Sequence, residues 1–168
     1  MALADVGERT GERAFTSAPP QVLDPAKKYT ATIKTDKGDI VIQIDNKHAV
    51  TANNFIWLAC KGFYDGLTFH RVEQGFVIQG GDPLGDGTGG PGYTIPGEFA
   101  GSNFVKGVIG MARSSDPDSG GSQFYIMLGD AHSLDGQYAA FGHVTSGQDV
   151  AEQIAVGDKI KEINIDEQ

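Results

Sequence analysis

Apolar and polar residues alternate through residues 29–35 (Tyr-Thr-Ala-Thr-Ile-Lys-Thr) and 39–44 (Asp-Ile-Val-Ile-Gln-Ile). A period of two belongs to strands with one buried face. Asp36-Lys37-Gly38 between the runs is a turn sequence that closes a hairpin. Over residues 50–61 the period changes: Phe55, Ile56, Leu58 and Ala59 follow helical spacing, and Gly62 is placed for a left-handed C-cap. Asp65-Gly66 turns the chain into a strand over 67–72, followed by a second over 76–79. Further short strands are expected at 107–112, 122–128, 138–144 and 159–165, and a second helix over 148–155 with Ser146 as its cap. Residues 80–101, rich in Gly, Pro and Asp, form one long loop. Residues 1–27 show no sustained period and are expected to be a flexible tail, leaving 28–168 as the domain. Many short strands, two helices and no regular βα alternation predict a mainly β fold, an antiparallel barrel or sandwich with helices at its ends.

The alternation puts one charge in an awkward place. Leu67, Phe69 and Arg71 fall on one face of their strand, with Thr68, His70 and Val72 on the other. In the next strand Val77 and Gln79 share a face, and Phe76 and Ile78 the opposite one. A guanidinium on an apolar face is costly unless it is paired or used. Arg71 is therefore either a satisfied structural arginine or the floor of a site.

Composition narrows the partners. A chain of 168 residues has room for one domain with a real core. Its net charge of -9 repels a phosphate backbone, which excludes nucleic acid as a partner. No apolar run reaches the length of a membrane span, so no membrane association is expected. The first residues lack the basic and apolar regions of a signal peptide, so a cytoplasmic location is expected, with export the alternative if a leader or anchor lies outside this sequence. Cys60, the lone cysteine, falls in the first helix and reads as a buried, inert thiol.

Several chemistries can be weighed on their motifs. Gly85-Asp86-Gly87-Thr88-Gly89-Gly90 has the spacing of a dinucleotide fingerprint, but Pro91-Gly92 follows where a helix should begin, and Asp82 and Asp86 would repel phosphate. The four histidines lack paired metal-ligand spacing, and Asp116, Asp118 and Ser119 lack the rest of a calcium loop, so no metal is expected. Ser122, His70 and an aspartate could be assembled into a hydrolase triad, without any nucleophile elbow to mark it. There remain Arg71, Phe76, Val77, Gln79, Gln123 and Tyr125, which could share one concave face. An apolar pocket edged by one cation and two amides suits a neutral, extended peptide.

Phe69-His70-Arg71-Val72, Gly75-Phe76-Val77-Ile78-Gln79-Gly80-Gly81-Asp82, Gly87-Thr88-Gly89-Gly90, Gly110-Met111-Ala112, Gly121-Ser122-Gln123-Phe124 and Leu134-Asp135-Gly136 together resemble the motifs of the cyclophilins, in order and approximate spacing. The resemblance runs from about Lys28 to the end and is of bacterial type. It implies a closed eight-stranded antiparallel β-barrel capped by two α-helices, and a cofactor-free peptidyl-prolyl cis/trans isomerase that assists protein folding. It makes Arg71 the catalytic residue, with Gln79 orienting it. Phe76, Val77, Tyr125 and Leu134 would grip the proline ring, with Tyr138 beside them; Ala112, Gln123 and the main chain at Arg113 would hold the preceding residues. The partners implied are proline-containing peptides and unfolded or folding clients, met by a monomer. Where many members carry Phe, Trp and His, this chain has Tyr125, Ser133 and Tyr138, and Arg113 replaces a frequent Asn. Losing the indole implies weak binding of cyclosporin.

Overall fold

The computed structural model describes residues 1–168. β1 (Tyr29–Thr35) and β2 (Gly38–Ile44) form the expected hairpin, with Ala31 opposite Ile42 and Ile33 opposite Ile40. All four of these side chains are fully buried, which is what fixes the register. α1 (Ala49–Cys60) is buried from Thr51 through Ala59, so it packs as an interior helix. Its N-terminus is capped from a distance: Glu98 in the long loop accepts the Thr51 N–H and hydroxyl, each at 2.8 Å. At its other end Gly62 takes φ +77°, and the Phe63 and Gly62 N–H groups return to the Leu58 and Ala59 carbonyls. Cys60 is half-buried, and burial raises its thiol pKa to about 11, which leaves it protonated and unreactive at neutral pH.

The chain continues through β3 (Phe69–Glu73), β4 (Val77–Gly80), β5 (Val108–Met111), β6 (Phe124–Met127), β7 (Ala140–Ser146), α2 (Gln148–Gln153) and β8 (Glu162–Glu167). The eight strands form one antiparallel sheet in the order β3-β4-β6-β5-β7-β2-β1-β8. This corrects the closed barrel: the sheet is open, a half-barrel with two helices. Residues 157–160 bond to residues 66–69 and pairing with β1 starts at Glu162, so the last strand begins there instead of at 159. Across the seam run one bridge, Thr68 to Lys159, and four backbone hydrogen bonds of 2.7–2.9 Å between residues 66–69 and 157–160. α2 is also shorter than expected, and Ser146 ends β7 instead of capping it; Gly147 occupies the cap position. No helix is long and apolar enough to cross a membrane.

Residues 1–27 lie along the surface of the domain. They carry only one 3-10 turn, yet Val6, Val22 and Leu23 are buried in the main core. Phe15 packs edge-on against Trp57 at 4.7 Å and donates its N–H to the Pro91 carbonyl at 2.8 Å. Arg9 pairs with Asp65, and Asn53 on α1 accepts the N–H groups of Val22 and Leu23 at 2.8 and 2.9 Å while donating to the Pro20 carbonyl. The segment has no period because it follows an irregular surface. Asn53→Ala, which strands two buried N–H groups, is expected to lower stability by about 2 kcal/mol; the shift of the urea midpoint measures it.

Candidate active site

A β-bulge sets up the site. Phe69 lies opposite Gly80 and Arg71 opposite Gln79, so β3 carries one residue, His70, more than β4 does at this point. The extra residue reverses the alternation. Phe69 and Val72 both pack on the main core, while Arg71 joins Gln79 on the opposite, groove-facing side. The expected face-sharing of Arg71 with Phe69 is thereby corrected, and with it the charge on an apolar face. Phe76 also departs from the alternation, because it precedes β4 in the turn and packs beside Val77 and Tyr125.

The groove contains two adjoining pockets. The first, about 180 Å³, is lined by Arg71, Phe76, Val77, Gln79, Ala112, Arg113, Tyr125, Leu134 and Tyr138. The second, about 290 Å³, shares Gln79, Ala112 and Arg113 with it and adds Gln123 and the glycine loop. All ten candidate side chains are thus brought together. A directed chain of hydrogen bonds joins the key ones: Arg71 Nη1 donates to Gln79 Oε1 at 3.2 Å, Gln79 Nε2 to Gln123 Oε1 at 3.1 Å, and Gln123 Nε2 to the Gly89 carbonyl at 2.9 Å. Each amide is held in one orientation by its neighbours. The Arg71 guanidinium lies 5.8 Å from the Phe76 ring centroid.

The loop end of that chain is anchored by Asp82, which is 1% exposed. Its carboxylate accepts the N–H groups of Leu84, Asp86 and Gly87 at 2.8, 3.1 and 2.6 Å. Burial alone would raise its pKa, but these bonds and that of Gly89 outweigh it and hold the group below its ordinary value. Gly89 is required here, since a Cβ would stand 2.0 Å from Asp82 Oδ1. The amides a pyrophosphate would need are occupied by this carboxylate, which disposes of the dinucleotide reading. The hydrolase reading fails as well: Ser122 is 1% exposed and its hydroxyl donates to the Gly81 carbonyl at 2.7 Å.

Glu73 went unnoticed in the sequence. Two residues beyond Arg71 on the same side of β3, it accepts from Nη2 at 2.9 Å, although both side chains are about half exposed and the pair is weak. Leu134 is set by a 3-10 turn, His132–Leu134, closed by Asp135, which accepts the Phe104 N–H at 2.7 Å and His132 Nδ1 at 2.8 Å. Tyr125 is 5% exposed and its hydroxyl finds no partner among the protein's groups; burial, reinforced by Tyr138, pushes its pKa up.

An open eight-stranded half-barrel with two helices and this outer groove is the cyclophilin fold. The same architecture occurs in a Cryptosporidium parvum cyclophilin type peptidyl-prolyl cis-trans isomerase, with TM-score 0.76 and 29% identity over 83% of this chain and 98% of that one. Residues 30–167 match the family described as cyclophilin type peptidyl-prolyl cis-trans isomerase/CLD. A Helicobacter pylori peptidyl-prolyl cis-trans isomerase is 48% identical over 158 residues, covering 86% of this chain and 94% of its own length. Peptidyl-prolyl cis-trans isomerase B of Bacillus subtilis is 49% identical over 118 residues, covering 69% and 82%. The chain belongs to the cyclophilin-type peptidyl-prolyl cis-trans isomerases.

The Asp82 anchor has a testable pH signature. A carboxylate whose folded pKa is depressed contributes stability above its unfolded value, 3.8, and loses it as pH falls through the folded value. Asp82→Asn is expected to cost about 1–3 kcal/mol at pH 7, and the gap to wild type should narrow as pH falls below 3.8, read from urea midpoints at pH 7 and pH 3.

Proposed function

We propose that Arg71 is the catalytic group of this isomerase and that the pocket of Phe76, Val77, Tyr125, Leu134 and Tyr138 grips the substrate's proline ring. Rotation about the bond must break amide resonance, a barrier of about 18–20 kcal/mol, which leaves uncatalysed Xaa-Pro exchange on a scale of roughly tens to hundreds of seconds. In the twisted state the prolyl nitrogen regains its lone pair. A guanidinium N–H held against that nitrogen stabilises the twisted state more than either planar isomer. The observation that carries this reading is Arg71 at the mouth of an apolar pocket, its fork held through Nη1 by Gln79. A fixed donor needs little reorganisation as charge develops.

Ala112, Gln123 and the main chain at Arg113 border the second pocket and receive the residues preceding proline. A related Cryptosporidium parvum cyclophilin type peptidyl-prolyl cis-trans isomerase structure was determined in the presence of the dipeptide Ala-Pro, which supports a proline-containing peptide as the ligand of this groove. The clients are exposed Xaa-Pro segments of folding proteins, met by a monomer in the cytoplasm; the net charge of -9 makes nucleic acid an unsuitable partner.

In NMR exchange on a short Ala-Pro peptide, the wild type should accelerate cis/trans interconversion. Arg71→Ala of unchanged fold should lose about 100-fold of that acceleration, and Arg71→Lys, which keeps the charge without the fork, should fall between. Equal rates for wild type and Arg71→Ala would overturn the assignment. Cyclosporin is expected to bind weakly, because Ser133 supplies neither the indole donor nor its apolar area; tight binding in a calorimetric titration would contradict this.

A further inference from the structure

Arg113 is held more firmly than its surface position requires. Its Nε donates to the Gln137 carbonyl at 2.8 Å and its Nη1 to the Ser114 carbonyl at 2.9 Å. The guanidinium lies 5.1 Å from the Phe99 ring centroid and 4.9 Å from that of Tyr138. No carboxylate pairs with it, whereas Arg71, the other cation of the groove, is paired with Glu73. Two of the five N–H groups a guanidinium carries are used, which leaves three free.

The second pocket gives this cation a neutral setting. Arg113 is the only charged residue lining it; the rest are glycines, hydroxyl residues, Pro91, Ala112, Gln79 and Gln123. The acids flanking the pocket are already engaged, Asp82 by three backbone N–H groups, Asp86 by Thr88, Asp116 by the Asp118 N–H and Asp118 by the Gly97 N–H. Through its bond to Ser114, which also lines this pocket, the unpaired cation is held at the pocket's border, where it has the chemistry to receive a carboxylate.

We infer that Arg113 selects substrates carrying an acidic side chain, Asp or Glu, close to the proline on the side that enters the second pocket. The inference rests on the isomerase reading of the groove and goes beyond it, since that reading uses only the main chain at Arg113. The preference is local and opposes the long-range field: a net charge of -9 repels acidic peptides at a distance. At physiological ionic strength the Debye length is about 8 Å, so the distant repulsion is screened while the contact with Arg113 persists.

The test is a peptide series built on Ala-Ala-Pro-Ala, with Glu, Gln or Lys placed in turn at each position around the proline. Catalysed exchange is followed by NMR for the wild type, Arg113→Lys and Arg113→Gln, each checked for fold by its amide spectrum. At a position before the proline, the wild type should favour Glu over Gln by about fivefold in kcat/KM, the scale of one charge-assisted contact at a partly exposed site, and mainly through KM. The Glu-to-Gln ratio should fall to near one in Arg113→Gln and be partly kept in Arg113→Lys. Equal turnover of Glu and Gln peptides by the wild type, or a Glu preference that survives in Arg113→Gln, overturns the inference. Failure of the isomerase reading shows separately, as no acceleration of the all-alanine peptide. In that case the same series, read as Kd from chemical-shift titration, still decides the charge preference.

Discussion

Between Phe69 and Arg71 the third strand carries one residue more than the strand opposite, and the groove depends on that inequality. Without it, Arg71 would share the face of Phe69, in the closed aromatic core where Phe55, Tyr64 and Phe124 meet. A lone cation there would have to be desolvated without a partner. With it, Phe69 and Val72 both reach the core, and Arg71, Gln79 and Tyr125 line up across three neighbouring strands on the other face. The bulge reconciles two demands on one short strand, an apolar interior contact at each end and a charged group between them facing out.

Holding the guanidinium in place is then work for groups well beyond it. Gln79 fixes one nitrogen, Gln123 fixes Gln79, and Gly89 fixes Gln123. Gly89 keeps its position because the loop around it is gathered on the buried Asp82 carboxylate. The loop in turn gives Glu98 to the start of α1 and Tyr93 to the buried Asn54. A segment without a strand or helix of its own is thus as constrained as the sheet, since its polar groups are satisfied by specific partners instead of by a ladder.

Most of this architecture was readable in the sequence, for physical reasons that also explain the rest. The β1 and β2 hairpin shows a clean period of two because one of its faces is wholly buried. The Gly62 cap was readable because few other residues accept its conformation. The bulge was not, because an extra residue in a strand leaves no mark in composition and only cross-strand pairing reveals it. Glu73 escaped notice for the same reason, since its relation to Arg71 depends on which face the pair occupies. Residues 1–27 have no period because Val6, Phe15, Val22 and Leu23 are contacts spaced by the contour of the surface they cross. The seam was hidden because alternation over 159–165 does not tell that residues 157–160 pair with 66–69 while only those from Glu162 pair with β1.

That seam bears on how the protein comes to be folded. β1 pairs with β8, and residues 66–69 meet residues 157–160, so strands made early wait for partners made late. Contacts of such sequence separation are slow to form, because their loop entropy must be overcome before any hydrogen bond compensates it. During synthesis the β1 edge stays unpaired until the final strand has left the ribosome, an exposed template for pairing with other chains. The chain would therefore fold late, and only as a whole.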